Sequence, residues 1–183
     1  MRTKLKQHTA AAHQRVDQAV STLSLAHRAS YITFLRTHQL AYRALLPALP
    51  ADNWVSSILR RVLTTLNQDL DVMDVPGLPR PMIGLRDPIH PLGVAYVVCG
   101  SHFGKRILRR RWSLSRDPQV RAAGAYLSCD ELKAGWLRFL HDIEALTDPA
   151  NDLKLLAADA DRTFGLFYDS LVAAKNGDRA NAA

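Results

Sequence analysis

One histidine lies on an apolar helical stripe and has a carboxylate at helical spacing. His13 precedes Val16 and Val20 by three and seven residues, and Asp17 follows it by four. Residues four apart share a helix face, so Asp17 can accept from one ring nitrogen and leave the other free to bind a metal. We predict an inward-pointing imidazole, which is either a core histidine paired with an acid or a metal ligand.

Two glycines four residues apart, Gly100 and Gly104, fall inside a second predicted helix. Each costs about 0.8–1.0 kcal/mol relative to alanine in a helix interior. Glycine leaves the backbone bare, so either another helix or a flat ligand can approach this patch, and paired glycines also let a helix bend. The spacing alone leaves both uses open.

The elements that carry these residues are predicted to be helices throughout. Apolar residues recur at three and four along most of the chain, and no alternating β-branched run is long enough for a strand. Asp52 and Asp117 are the expected N-caps of two helices. The predicted helices cover about residues 2–22, 28–48, 52–73, 92–112, 118–128, 131–146 and 148–171.

Two segments are predicted to lie outside the helices. Residues 75–91 contain five of the nine prolines and should form an extended connection. Residues 175–183 have little to bury, and we expect a mobile tail after a single domain of residues 1–174.

Composition excludes several classes of protein. The 183 residues are 48% hydrophobic and 22% charged, which is typical of one globular domain rather than a disordered chain. No apolar run approaches the ~18 residues of a membrane helix, and we expect no export signal. Cys99 and Cys129 lack metal or disulfide spacing, so we expect a cytoplasmic protein. The net charge of +7 favours anionic ligands or acidic partners.

Five segments, taken in order, resemble the biliverdin-producing heme oxygenases, and in particular the compact bacterial type associated with bacteriophytochromes. The most specific are the L-K-x-x-T-x-x-x-H start and the Y-V-x-x-G-S-x-x-G helix. The segments are LKQHTAAAHQRVD (5–17), YITFLRTHQLAYRALLPAL (31–49), LGVAYVVCGSHFG (92–104), WLRFLHDIEAL (136–146) and AADADRTFGLFYDSL (157–171).

The resemblance implies an all-α fold with heme between a proximal first helix and a distal helix kinked at glycine. It implies His13 as the iron ligand, Asp17 as the residue that orients it, and Lys6 near the heme propionates. Arg138 is a weaker propionate candidate. The resemblance also assigns the oxygen pocket and its wall to these residues: Gly100, Ser101, Gly104, Phe164 and Phe167.

Two positions depart from the family pattern. His102 follows Ser101, and Lys105 replaces what is often a second glycine. At two residues from Gly100, His102 should point away from the ligand face, so a second axial ligand is disfavoured.

The implied activity is cleavage of heme to biliverdin, CO and ferrous iron with dioxygen and electrons. Heme b would be substrate and cofactor, because a neutral imidazole leaves the other face of the iron free for O₂. The chain has no room for a reductase domain, so a ferredoxin, flavodoxin or reductase must supply electrons. A bacteriophytochrome is a possible recipient of the biliverdin.

Two alternatives remain open. One is a heme-binding or sensor protein on the same fold that does not turn over. The other, less favoured, is a basic helical module for nucleic acid, because residues 105–111 contain five cations beside Trp112. No helix-turn-helix pattern accompanies them, and a basic surface also suits an acidic redox partner.

Overall fold

The computed structural model describes residues 1–76, 84–85 and 87–180, with the side chains of residues 149 and 178–180 left out of the description. In these ranges the regular structure is helical and no β-strand is present, as the sequence predicts. The helices are α1 (Arg2–His8), α2 (Ala10–Ser21), α3 (Arg28–Leu45), α4 (Trp54–Val72), α5 (Pro91–Gly100), α6 (His102–Trp112), α7 (Pro118–Ala122), α8 (Ala125–Ser128), α9 (Glu131–Glu144) and α10 (Pro149–Ala180).

The predicted first helix is wrong in one respect, since it is divided at Thr9 into α1 and α2. Thr9 is buried, and its hydroxyl donates to the Leu5 carbonyl oxygen at 2.9 Å. A threonine hydroxyl that donates to a carbonyl of the preceding turn competes with the regular hydrogen bonds of the helix backbone. The change of direction at Thr9 lets α1 and α2 each contact α10.

The predicted distal helix is divided at Ser101 into α5 and α6. The Ser101 hydroxyl donates to the Val98 carbonyl oxygen at 2.7 Å. The Gly104 amide donates to the Ser101 carbonyl oxygen, three residues earlier, as in a 3-10 helix. This local tightening is typical of a helix bend. The bend therefore falls between the two glycines that the sequence singled out.

Two helix starts show how capping fixes the boundaries. The Asn53 side chain, rather than the predicted Asp52, accepts from the Val55 amide and caps α4. Asp117 caps α7 as predicted, accepting from the amides of Gln119 and Val120. The helix predicted over 118–128 is nevertheless two short helices, because the chain at Gly124 passes against Trp112. A Cβ at Gly124 would lie 2.8 Å from that indole ring.

The long helix α10 occupies the centre of the fold and packs against α3, α5 and α2. It lies close to α5 at Gly93, where an added Cβ would lie 2.8 Å from the Asp159 side chain. The largest fully buried side chains are Tyr31, Tyr42, Phe34, Phe139, Leu5, Leu25, Leu35, Leu45, Leu59, Leu66, Met73 and Leu127. They belong to a single core, which agrees with one domain.

Two sequence predictions concern the connections and the carboxyl end. Much of the proline-rich connection, residues 77–83 and 86, lies outside the described residues, as do residues 181–183 of the predicted tail. Helix α10 continues to Ala180, past the domain boundary predicted at residue 174. Across the described ranges, no helix combines the length and apolar character that crossing a bilayer requires.

Candidate functional site

Helices α2 and α6, both described in full, have no buried residue. Helix α2 packs on α10 and α1, whereas α6 packs on α5 and α8. The apolar residues Val16 and Val20 of α2 and Leu108 and Trp112 of α6 are half-buried against the core, so each helix covers the core with one side and exposes the other. We call the space between α2 and α6 the cleft.

The cleft side of α6 is defined by one helical stripe. Gly104, Ile107, Arg111 and Leu114 follow each other at steps of three, four and three residues, which places them on one face. Ile107 and Leu114 are 60% and 71% exposed, and a Cβ on Gly104 would meet no described atom within 4 Å. This face therefore offers apolar contact together with free space over the backbone.

A cavity of about 320 Å³ marks one end of the cleft. Arg111 of α6 and Leu114, two residues after the end of α6, line one side, and the segment 21–26, which begins at the last residue of α2, lines the other. The carboxyl ends of α2 and α6 therefore face each other across this cavity.

His13 lies on α2 with its imidazole at the surface, and the prediction that it points into the interior is wrong. Its side chain is 52% exposed, and Nε2 is 3.3 Å from the Asp17 carboxylate, so the predicted pairing with Asp17 is present. The ring stacks on Phe164 of α10, with centroids 5.2 Å apart and planes 24° apart. One face of the imidazole is thus covered by Phe164, while Nδ1 is not engaged by Asp17.

His13 and Gly104 lie at a similar distance from the cavity along their helices. His13 precedes Ser21 by eight residues and Gly104 precedes Arg111 by seven. At 1.5 Å per residue these separations are about 12 Å and about 10 Å. Each of the two residues therefore lies about two helical turns before the residue of its own helix that lines the cavity.

The two glycines of the distal segment have different surroundings. A Cβ on Gly100 would lie 3.3 Å from the Trp136 ring, so Gly100 allows α9 to approach α5. Gly104 has open space instead. His102 packs near Trp136, with ring centroids 6.0 Å apart, and its Nδ1 lies 2.8 Å from the Cys99 carbonyl oxygen.

Two further predicted site residues, Lys6 and Arg138, lie elsewhere. Lys6 is exposed on α1 and makes no hydrogen bond or ion pair with the described residues. Arg138 lies on α9 over the Trp54 ring, with Nε 3.4 Å from Asp142. Because Trp136 faces α5 and Arg138 is two residues further on, the arginine points to another side of α9.

Phe167, one turn after Phe164, belongs to the interior rather than to the cleft wall. Its ring is buried and lies 5.6 Å from both His38 and Tyr42 of α3. Phe164 and Phe167 therefore connect His13 to a second group of functional side chains inside the fold. We call His38, Tyr42, Lys105, Tyr126 and Cys129 the interior polar cluster.

Lys105 ties α6 to α8 within the interior polar cluster. Its ammonium donates to the carbonyl oxygens of Tyr126 at 2.9 Å and Cys129 at 2.8 Å, and lies 3.1 Å from Cys129 Sγ. These carbonyls are at the end of α8, where no further turn of helix satisfies them. The residue that departs from the family pattern is therefore a structural cation that anchors α6.

Helix α8 is only four residues long and is held from both ends. Asp69 of α4 is buried and accepts from the amides of Ala125 and Tyr126, both at 2.8 Å. Burial raises the pKa of this carboxyl group, and the two amide hydrogen bonds act in the opposite direction. The position of Tyr126 is thus fixed by Asp69 on one side and Lys105 on the other.

Burial controls the protonation of the cluster. It lowers the pKa of His38 to about 4, with a further lowering from the Lys105 charge, while the Phe34 carbonyl hydrogen bond opposes the shift. Burial also raises the pKa of Tyr42 and Tyr126, whose hydroxyls lie 2.9 Å apart. At neutral pH His38 is uncharged and both tyrosines keep their protons.

His38 and Tyr42 of α3 were not among the site residues named from the sequence. Their spacing could have drawn attention to them, because these two polar rings lie four residues apart on the helical stripe that also carries Phe34. The pairing of Lys105 with the end of α8 had no local signal, since it joins residues 21 and 24 positions apart.

Among the residues that the structure describes, no three His, Cys, Asp or Glu side chains form a group that could hold a bare metal ion. No protein-family model matches the chain, and no curated protein shows significant sequence similarity to it.

Proposed function

We propose that the protein is a heme oxygenase that binds heme in the cleft between α2 and α6 and converts it to biliverdin, CO and ferrous iron. The observation that carries the proposal is the placement of His13 and Gly104. The imidazole lies on α2, the bare backbone lies on α6, and both are about two turns from the same cavity. The sequence resemblance independently assigns these two positions to the proximal and distal sides of heme.

In this proposal the residues of the chain have separate roles. His13 binds the iron, Asp17 and Phe164 orient the imidazole, and Ile107 and Leu114 exclude water from the ligand surface. Gly104 leaves space on the distal side. Bound heme would supply the redox chemistry, and an external ferredoxin, flavodoxin or reductase would supply the electrons.

A non-catalytic heme-binding or sensor protein is the second candidate, and one observation favours it. The Ser101 hydroxyl, at the position where animal-type enzymes have an aspartate, donates to the Val98 carbonyl oxygen of its own helix. Its proton is therefore engaged within the helix rather than offered to the cleft. Binding heme and turning it over must consequently be measured separately.

The test is a hemin titration followed by addition of ascorbate or a ferredoxin with its reductase. The proposal expects a Soret band that saturates near one equivalent and then decays as biliverdin absorption grows. A persistent Soret band would instead indicate the sensor. If duplex DNA binds and hemin gives no defined stoichiometry, the protein is a nucleic-acid module.

The matched variants are His13→Ala and His141→Ala. Both histidines are exposed and lie beside an aspartate, with His141 Nδ1 3.1 Å from Asp142. Loss of the iron–histidine signature is expected in His13→Ala alone. An unchanged signature in that variant would remove His13 as the ligand.

A further inference from the structure

The side of α6 that faces away from the core carries exposed apolar side chains. Lys105 is tied to α8 and Trp112 packs against the core, so these two residues mark the inner side of the helix. Phe103 and Ile107 each lie two positions from Lys105, about 200° around the helix, and therefore point outward. They are 64% and 60% exposed, and Leu114, two residues after the helix, is 71% exposed.

The same helix carries positive charge and no carboxylate. Residues 102–112 contain Lys105 and four arginines, and the next acidic residue along the chain is Asp117. Within the described ranges, none of these arginines forms an ion pair with a carboxylate. Their charge is therefore available to a partner. The four are Arg106, Arg109, Arg110 and Arg111.

The arginines flank the exposed apolar side chains on both edges. Arg106 and Arg110 follow Phe103 by three and seven residues and so lie along one edge, whereas Arg111 follows Ile107 by four and lies along the other. We call Phe103, Arg106, Ile107 and Arg110 the outer face of α6. This face is apolar along its middle and cationic at its edges.

We infer that the outer face of α6 docks the protein on an anionic lipid surface. A basic helix with an apolar stripe is typical of helices that lie in a membrane interface, where apolar side chains enter the acyl boundary and cations contact anionic headgroups. A second copy of the chain would bring the same arginines together, and like charges oppose such pairing. A folded acidic partner would need pockets for each protruding side chain of a convex helix, whereas fluid lipid adapts to them. Binding along the surface requires no spanning helix.

Docking through the outer face orients the cleft relative to the lipid. Ile107 belongs both to the outer face and to the stripe that carries Gly104 on the cleft side. The open edge of the cleft therefore lies at the lipid surface when the protein is docked. An apolar ligand dissolved in the bilayer would then reach the cleft without crossing bulk water. The docking itself does not depend on the proposed function.

The test is co-sedimentation of the full-length protein, without hemin, with sucrose-loaded vesicles. One set of vesicles contains phosphatidylcholine alone, and the other contains equal parts of phosphatidylcholine and phosphatidylglycerol. We expect binding to the second set only. Raising the salt concentration should weaken this binding, because salt screens exposed charges.

Two variants test the two parts of the outer face, and neither changes a residue of the cleft stripe. Phe103→Ser is expected to lower vesicle binding about tenfold, because an apolar ring no longer enters the lipid. The double variant Arg106→Gln/Arg110→Gln should lower it at least about tenfold, at about fivefold for each arginine. Phe103→Leu keeps an apolar side chain and should bind like the parent protein. The Phe103 ring lies 5.4 Å from that of Trp136, so circular dichroism checks that each variant is folded.

Leu155→Ser and Arg61→Gln are the matched controls, because these side chains are exposed on α10 and α4. Equal losses in the controls, full binding by Phe103→Ser, or no binding of the parent protein to anionic vesicles overturns the inference. Without vesicle binding, Phe103-dependent capture of an acidic ferredoxin would assign the face to an acidic protein, and a Phe103-dependent dimer in sedimentation equilibrium would assign it to a second copy. Either result overturns the inference. Failure to bind hemin overturns the proposed function alone.

Discussion

The His13 imidazole lies against Phe164, with 5.2 Å between the ring centroids and 24° between the planes. Phe164 is buried on α10, whereas His13 and its partner Asp17 are exposed on α2. An exposed ion pair four residues apart contributes only about 0.3–0.5 kcal/mol. The flat contact with a buried ring is therefore the stronger restraint on the orientation of the imidazole, and Phe164 is a positioning residue for His13.

Replacing Phe164 with leucine tests this role. We expect Phe164→Leu to lower hemin affinity several-fold and to shift the iron–histidine vibration, because the imidazole loses its flat support. Titration and resonance Raman spectroscopy measure the two effects. Phe167→Leu is the control, since it removes a ring one turn away that contacts His38 and not His13. If both variants shift the vibration equally, the stacking contact is not what positions His13.

The helices were largely predictable from the sequence because their determinants are local. Apolar spacing and Asp117 indicated where elements begin, and the bounds of α3, α4 and α9 agree with the prediction within a few residues. The breaks at Thr9 and Gly124 were not predictable in this way. Gly124 passes against Trp112, and the Thr9 hydroxyl, besides bonding the Leu5 carbonyl, lies 3.4 Å from the Tyr96 hydroxyl, a contact between distant parts of the chain.

The site was predictable in its residue types and less so in its surroundings. The pairing of His13 with Asp17 follows from their spacing of four, whereas the stacking of His13 on Phe164 joins distant parts of the chain and had no local signal. The different surroundings of Gly100 and Gly104 were not predictable, because the position of Trp136 against Gly100 decides them. The ion pair of Arg138 with Asp142 could be predicted from their spacing of four residues. The sequence analysis instead interpreted Arg138 as a candidate for binding the propionates.

The Gly104→Ala variant distinguishes the effect of Gly104 on the stability of the protein from its effect on ligand binding. The new methyl group meets no described atom within 4 Å, so the ligand-free protein should gain up to about 1 kcal/mol in unfolding free energy. Hemin affinity should fall, because the methyl group occupies the open patch of the cleft. Thermal unfolding of this variant measures the expected gain in stability, and titration with hemin measures the expected fall in affinity.

Gly135→Ala is the contrasting variant for that experiment. A Cβ there would lie 2.6 Å from both Cys99 Sγ and Ile58 Cδ1, so destabilisation of about 1–3 kcal/mol is expected. A Gly104→Ala protein that loses stability without hemin would show that Gly104 serves the fold.

Lys105→Met should release α6 from α8. The variant keeps the length of the side chain and removes the donors to the Tyr126 and Cys129 carbonyls, at a cost of about 1–3 kcal/mol. Because α6 has no buried residue, we expect its amide hydrogens to exchange at least about tenfold faster. Hydrogen exchange followed by mass spectrometry measures this without hemin.

Arg106→Met is the control for Lys105, since Arg106 is exposed on the same helix and bonds no described residue. Equal protection of α6 in the two variants would mean that Trp112, whose indole donates to the Val120 carbonyl at 2.7 Å, anchors the helix alone.

His38 should make the stability of the protein depend on pH in weakly acidic solution. Burial lowers its pKa from 6.5 to about 4, so between these values the unfolded chain binds a proton that the folded protein does not. Stability is therefore complete above about pH 6.5 and falls as the pH approaches 4, by no more than about 3 kcal/mol. His38→Gln removes this dependence, so the difference between parent and variant should shrink or reverse on acidification. Urea unfolding at pH 7.5 and pH 5 measures it, with exposed His141→Gln as the control. Parallel pH profiles for the parent protein and His38→Gln would show that the imidazole is not kept uncharged by the aromatic rings around it.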